Sequence, residues 1–137
     1  MERPAENFRE EPGLFPMPVI LIVDDEALIR WSVGESLEAA GYQVIEAGTA
    51  GEALRAMNGA REIALVVLDL KLPDSSDLGL LRRVRAQTPG SQVILMTAHG
   101  TPEILEDARR LGACEVLEKP FDLRRFVDVV NHALQPV

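Results

Sequence analysis

Cysteine is almost missing from this sequence. The one residue, Cys114, cannot close an internal disulfide and suits a reducing compartment. Basic residues are also in short supply: 14 Lys and Arg stand against 22 Asp and Glu, a formal net charge of −8. Affinity for nucleic-acid backbones comes largely from Lys and Arg neutralising phosphates. The balance therefore argues against direct DNA or RNA binding and favours a divalent cation or a basic partner surface. No apolar run approaches the ~18 residues that would cross a bilayer. The opening stretch MERPAENFREEPG has no apolar segment of the kind a secretion signal carries. These absences predict a cytoplasmic protein with no membrane association. At 137 residues, 47% hydrophobic and 26% charged, the chain has the makings of one globular domain. Disorder, collagen and coiled coil are excluded as descriptions of the whole.

Residues 1–18 stand apart. They hold Pro4, Pro12, Pro16 and Pro18, show no periodicity, and are expected to form a partly disordered extension, with Leu14, Phe15 and Met17 available to lie on the domain surface. The domain is expected over 19–134, followed by a short end at 135–137. From residue 19, short β-branched runs alternate with segments of helical length. The runs are VILIV (19–23), QVIEA (43–47), ALVVL (64–68), QVILM (92–96) and CEVLE (114–118). Those at 19–23, 64–68 and 93–96 are apolar throughout, as strands buried on both faces of a parallel sheet are. The alternation predicts an α/β fold with five parallel strands and five helices.

Helix punctuation agrees. Ile29, Val33, Leu37 and Ala40 share a face of the first helix, which Gly41 is placed to end. Thr49-Ala50-Gly51-Glu52 has the pattern of a capping box. A third helix is expected over residues 77–87, stopping before Pro89. Thr101-Pro102 predicts N-cap and first turn of a fourth, with Gly112 after it. Asp122 can cap a fifth, running to about Leu134 before Pro136.

Open parallel sheets bind ligands outside the carboxyl ends of their strands. Asp24, Asp25 and Glu26 follow the first strand, Asp69 the third, Thr97 the fourth and Lys119 the fifth. The first and third strands are plausible neighbours through a right-handed crossover, which brings Asp24, Asp25 and Asp69 together. Three carboxylates in one cleft oppose each other's ionisation unless something neutralises them. A hard divalent cation such as Mg²⁺ does so with oxygen ligands, and Lys119 adds a positive charge. Each residue alone has a plain structural reading, as a helix cap or a turn former. Their coincidence at the ends of four strands favours a site.

The motifs LIVDDE (21–26), VVLDLKLPD (66–74), ILMTAHG (94–100) and LEKPF (117–121) resemble, in order and spacing, the signatures of receiver domains of bacterial two-component response regulators. The resemblance covers 19 to about 134. It implies a single doubly wound, flavodoxin-like domain with strand order 2-1-3-4-5. It implies that Asp69 is the phosphoacceptor, taking a phosphoryl group from the phosphohistidine of a sensor histidine kinase or a phosphotransfer protein. It implies Asp25 as a direct Mg²⁺ ligand, Asp24 as its acidic partner, and Lys71 as donor of a main-chain carbonyl. Thr97 then hydrogen-bonds the new phosphoryl group and Lys119 pairs with it. Such a domain is a signalling phosphoacceptor rather than an enzyme: it catalyses only its own phosphorylation and dephosphorylation. The segments IRW (29–31) and MTAHG (96–100) further resemble nitrogen-regulation-type receivers, which precede an ATPase domain working with sigma-54. No ATPase or DNA-binding segment is present, so an excised domain or a stand-alone receiver is expected, with output in transcription through domains elsewhere.

Two positions depart from the family pattern. Val116 stands where many receivers carry a switching Tyr or Phe, and Asp77 stands where Gly is usual. Other residues have mainly structural readings. Trp31 is expected to cover a neighbouring surface in part, with kinase docking as the alternative. Arg82, Arg83 and Arg85 are expected on a solvated face. Arg109, Arg110, Arg124 and Arg125 have the same favoured reading. Their alternative is a homodimer through the fourth helix, fifth strand and fifth helix. His99 either shapes water access to the site or is a plain loop residue. Cys114 is expected to be a small buried hydrophobe within the fifth strand. Three functional alternatives remain: an interaction module with a receiver fold that is not phosphorylated, a small Mg²⁺-dependent phosphatase, and a flavin binder. Lys71, two after Asp69, disfavours the phosphatase. The acids after the first strand disfavour a flavin phosphate.

Overall fold

A computed structural model of the chain describes residues 17–59, 62–75 and 78–135. The strands are β1 (Val19–Val23), β2 (Gln43–Ala47), β3 (Leu65–Asp69), β4 (Gln92–Thr97) and β5 (Glu115–Glu118). Between and after them lie α1 (Ala27–Ala39), α2 (Ala50–Met57), α3 (Gly79–Gln87), α4 (Pro102–Arg110) and α5 (Leu123–Ala133). All strand pairs are parallel and the order is β2-β1-β3-β4-β5, the doubly wound arrangement.

The apolar runs do what their composition requires. Ile20 and Ile22 point to one face, where they meet Leu65, Val67, Ile94, Met96 and the buried side chains of α1 and α5. Leu21 and Val23 point to the other, packing with Val66, Leu68, Leu95 and residues of α2, α3 and α4. Alternate residues of one strand thus feed two cores, so a strand in the middle of the sheet has no polar side. The edge strands differ: β2 and β5 are largely half-buried. Phe126 of α5 is fully buried and stacks on Phe121, ring centroids 5.5 Å apart.

The caps follow local chemistry. Thr49 accepts the Glu52 N–H at 3.0 Å. The Glu52 carboxylate reaches back one residue further than a capping box requires, to the Gly48 N–H at 2.7 Å. Thr101 caps α4 with Pro102 behind it, and Asp122 caps α5. Gly41 and Gly112 leave α1 and α4 with φ of 102° and 105°, the left-handed turn that glycine adopts without penalty.

The structure differs from the sequence expectations at five points. First, β3 and β4 each extend one residue further, so Asp69 and Thr97 are the last residues of strands rather than the first after them. Second, Ala40 is exposed, because it is the C-cap where the chain leaves the helix and no longer continues the face of Val33 and Leu37. Third, α3 starts at Gly79 with no side-chain cap. Fourth, β5 begins after Cys114, whose N–H still donates to the Val93 carbonyl at 2.8 Å. The Cys114 thiol is exposed, since Ala113 takes the buried position as the chain enters this edge strand. Fifth, Arg85 is not on a solvated face with Arg82 and Arg83. Its guanidinium turns inward to the Ser91 carbonyl at 2.6 Å. The expectations for Leu14, Phe15, Asp77, Pro136 and most of the 1–18 extension fall outside the described residues.

Candidate functional site

Parallel pairing aligns the strand ends. Val23 pairs with Leu68 and Asp69 with Met96, while Thr97 pairs with Glu118. The next residues, Asp24 after β1 and Lys119 after β5, therefore arrive at the same edge as Asp69 and Thr97. They line or border an open cleft of about 530 Å³ together with Asp25, Glu26, Lys71 and His99.

Lys119 joins the site. Its Nζ donates to Asp24 Oδ2 at 2.8 Å and to Asp69 Oδ2 at 3.2 Å, and lies 3.6 Å from Glu26 Oε1. The remaining oxygens are also engaged. Asp24 Oδ1 accepts the Glu26 N–H at 2.8 Å, and Asp69 Oδ1 accepts the Lys71 N–H at 3.2 Å. Asp24 is fully buried, Asp69 is nearly so, and Asp25 is exposed. One carboxylate oxygen from each lies within 4.8 Å of the others. Thr97 is buried at 4% exposure, and its Oγ1 accepts the His99 N–H at 3.2 Å.

The electrostatics follow from this crowding. Burial, and then the Asp24 charge, raise the Asp69 carboxyl above its ordinary range. The Lys71 N–H and the Lys119 ammonium pull it down without cancelling that rise. For Lys119, burial pulls the ammonium down, but its hydrogen bond to Asp24 and the charges of Asp69 and Asp24 outweigh it, and the net shift is upward. The site thus holds its lysine charged and disfavours the charge on its central carboxylate. Three oxygen donors so placed, with excess negative charge and an open mouth, fit a hard divalent cation.

The structure brings together all the residues singled out from the sequence: Asp24, Asp25, Asp69, Lys71, Thr97 and Lys119. Several further contacts carry little signal in the sequence. Arg30 Nη1 donates to the Asp24 main-chain carbonyl at 2.6 Å, and its Nε lies 3.1 Å from Glu46 Oε1. The Asp74 carboxylate accepts the Ala50 and Gly51 N–H groups at 2.8 and 3.1 Å, tying the loop after β3 to the start of α2. Those two bonds hold its pKa below the usual carboxylate range. The signal for Asp74 was its place among the turn-forming residues after Asp69. Arg30 had none beyond its charge. Val116 is half-buried against the core on the α2–α3–α4 side. Trp31 is 59% exposed. Arg109, Arg110, Arg124 and Arg125 are exposed, and Arg110 pairs with Glu106 and Asp107 on its own helix.

Comparison with known proteins gives a consistent picture. The family described as "Response regulator receiver domain" matches residues 20–131. Sporulation initiation phosphotransferase F of Bacillus subtilis is 35% identical over 115 residues, covering 84% of this chain and 92% of that protein. The DNA-binding transcriptional regulator NtrC of Bradyrhizobium sp. is 35% identical over 119 residues, 87% of this chain but only 25% of that protein. The crystal structure of a response regulator receiver domain protein from Methanospirillum hungatei superposes with a TM-score of 0.82 at 32% identity, covering 87% of this chain and 94% of that one.

Proposed function

The chain belongs to the response regulator receiver family, and from that premise we propose that Asp69 accepts a phosphoryl group from a histidine kinase or a phosphotransfer protein. The observation that carries this reading is the Lys119 ammonium bridging Asp24 and Asp69, with Asp25 beside them at an open cleft. An Asp69 carboxylate oxygen attacks the phosphorus of a phosphohistidine. A P–O bond forms as the P–N bond breaks, and the electron pair of the broken bond stays on the imidazole nitrogen, which takes up a proton. Such transfer depends mainly on in-line placement and on offsetting charge.

The chain's residues divide that work. Asp69 is held by the Lys71 N–H on one oxygen and by Lys119 on the other. Lys119 stays charged, so it opposes the charge of the incoming group as well. Thr97 Oγ1 accepts from His99, which leaves its own proton free to be donated to a phosphoryl oxygen. Asp24, Asp25 and Asp69, with the Lys71 main-chain carbonyl, are the residues that would hold Mg²⁺. When bound, that ion supplies the remaining charge neutralisation. Once phosphorylated, Asp69 draws Thr97 toward the cleft, and the β4–α4 segment is the element whose two arrangements are biased.

The NtrC relative is named a DNA-binding transcriptional regulator. By analogy we assign this receiver an output in transcription, delivered through other domains. We further propose a homodimer through α4, β5 and α5, a reading supported by the exposed Arg109, Arg124 and Arg125 on α4 and α5. Among the described residues no helix is long and apolar enough to cross a membrane.

Intact mass after incubation with acetyl phosphate tests the central claim. One added phosphoryl group is expected, dependent on both Mg²⁺ and Asp69 and absent from Asp69→Asn. An adduct unaffected by that substitution, or none at all, would sink it and leave an interaction module that works without phosphorylation.

A further inference from the structure

Arg30 sits outside the cleft, yet its guanidinium ends on the backbone of the acidic run. Nη1 donates to the Asp24 carbonyl at 2.6 Å, while Nε is anchored 3.1 Å from Glu46 Oε1. The side chain is only 20% exposed. The other end of the same residue is also held, because the Asp24 N–H donates to the Ala47 carbonyl at 3.1 Å. Gly48 completes the seat. A Cβ there would stand 3.1 Å from Arg30 Nη1, closer than ordinary contact, so the guanidinium lies over bare backbone.

The geometry points to Arg30 as a positioning residue for cation binding, acting through the peptide that joins Asp24 to Asp25; this rests on the function proposed above. The Asp24 carbonyl belongs to the peptide plane that leads into Asp25. Fixing that oxygen fixes the plane, and with it the direction in which the exposed Asp25 leaves the strand. Asp25 needs such control more than its neighbours do. Asp24 is fully buried and held through both carboxylate oxygens, and Asp69 is the end of a central strand. Asp25 lies on the exposed turn with a carboxylate oxygen within 4.8 Å of one from Asp24 and one from Asp69, a position that like-charge repulsion opposes. Arg30 restrains it by backbone geometry, and Glu46 in turn fixes the guanidinium plane. Arginine suits the task because its rigid fork serves two acceptors at once.

The test is Mg²⁺ affinity of the apo protein by titration calorimetry, alongside thermal unfolding in EDTA. Residues that orient ligands from behind typically change metal affinity by 10–100-fold when lost, so Arg30→Met is expected to raise the Mg²⁺ dissociation constant at least about tenfold. Arg30→Lys, which keeps the charge but not the fork, should recover only part of that loss. Glu46→Gln should weaken binding by about threefold, as expected for an exposed pair that orients rather than ligates, and it carries the test should Arg30→Met not fold. Arg82→Met, the same change of charge on an exposed helix face, should leave affinity unaltered and so separates positioning from net charge. An Mg²⁺ dissociation constant in folded Arg30→Met within twofold of wild type, or equal losses in Arg82→Met, would overturn the inference while leaving the phosphoacceptor reading intact. Wild-type protein that takes up neither Mg²⁺ nor a phosphoryl group would overturn both.

Discussion

Asp69→Asn should make the apo protein more stable, even though it removes the central group of the site. At an effective dielectric of about 20, two unit charges 4.8 Å apart repel by about 3.5 kcal/mol. Asp69 has such a neighbour in Asp24. Its 3.2 Å contact with Lys119 returns about 5 kcal/mol on the same scale. That attraction offsets the repulsion, and burial of the carboxylate, the largest influence on its charge, leaves the charged form disfavoured. Asparagine keeps an acceptor for the Lys71 N–H or for Lys119 and carries no charge. A gain of about 1–2 kcal/mol at neutral pH in EDTA is expected after screening, which is a rise in Tm of about 4–8 °C for a domain of this size. The pH dependence gives a sharper check. The folded-state pKa of Asp69 is raised, so the folded protein holds this proton more tightly than the unfolded chain does. The contribution of Asp69 to stability therefore falls as pH rises from the ordinary carboxylate range through that raised value, and the loss is complete above it. Asp69→Asn lacks this loss. The two proteins should have equal stability below about pH 3.5 and diverge as pH climbs to 7, given an unperturbed carboxyl near 3.9. Urea titrations across that range in EDTA measure it. A variant less stable than wild type at pH 7, or a difference that does not change with pH, would refute this account of a buried, disfavoured charge.

Lys119→Met should destabilise the apo protein by about 3 kcal/mol, the lower end for breaking a buried pair because the lysine is 15% exposed. Adding Asp69→Asn to it should recover part of that cost, as a double-mutant cycle in EDTA would detect. Phe126→Ala should cost about 3–5 kcal/mol, since the ring is fully buried, and the urea midpoint should fall with little change in slope. Asp74→Ala should lower stability at pH 7 by freeing the Ala50 and Gly51 N–H groups. Its folded pKa is lowered, so its contribution is present above the ordinary carboxylate range and disappears as pH falls through the lowered value. Thermal melts of the two proteins should therefore converge in acid.

How much of this was written in the chain depends on the kind of contact. Val19–Val23 and Leu65–Asp69 are legible because a strand buried on both faces can carry almost nothing polar, so an acid at its end stands out. The placement of Asp24, Asp25, Asp69 and Thr97 at one edge is legible for the same reason, since each closes or follows such a run; Lys119 follows a half-buried edge strand and is legible only from its place after the fifth run. Arg30 was not. It binds a main-chain carbonyl, and a carbonyl carries no residue signature. Asp74 binds backbone N–H groups 23 and 24 residues away, a distance that no local periodicity spans. Arg85 shares its helix with two solvated arginines and differs from them only by where Ser91 falls in three dimensions. Cys114 is exposed, against the sequence expectation, because burial falls away at a sheet's edge, where one residue of offset moves a side chain from the core to the solvent.

The bridge made by Lys119 spans the domain in time as well as in space. Its amine lies 95 residues after Asp24 and 50 after Asp69 along the chain. At about 5–20 residues per second, ribosomal synthesis delivers that amine roughly 3–10 s after Asp69. During that interval the nascent chain carries its three acids without the ammonium that bridges two of them. A chain cut before β5 would therefore carry all three acids and lack the ammonium that bridges two of them.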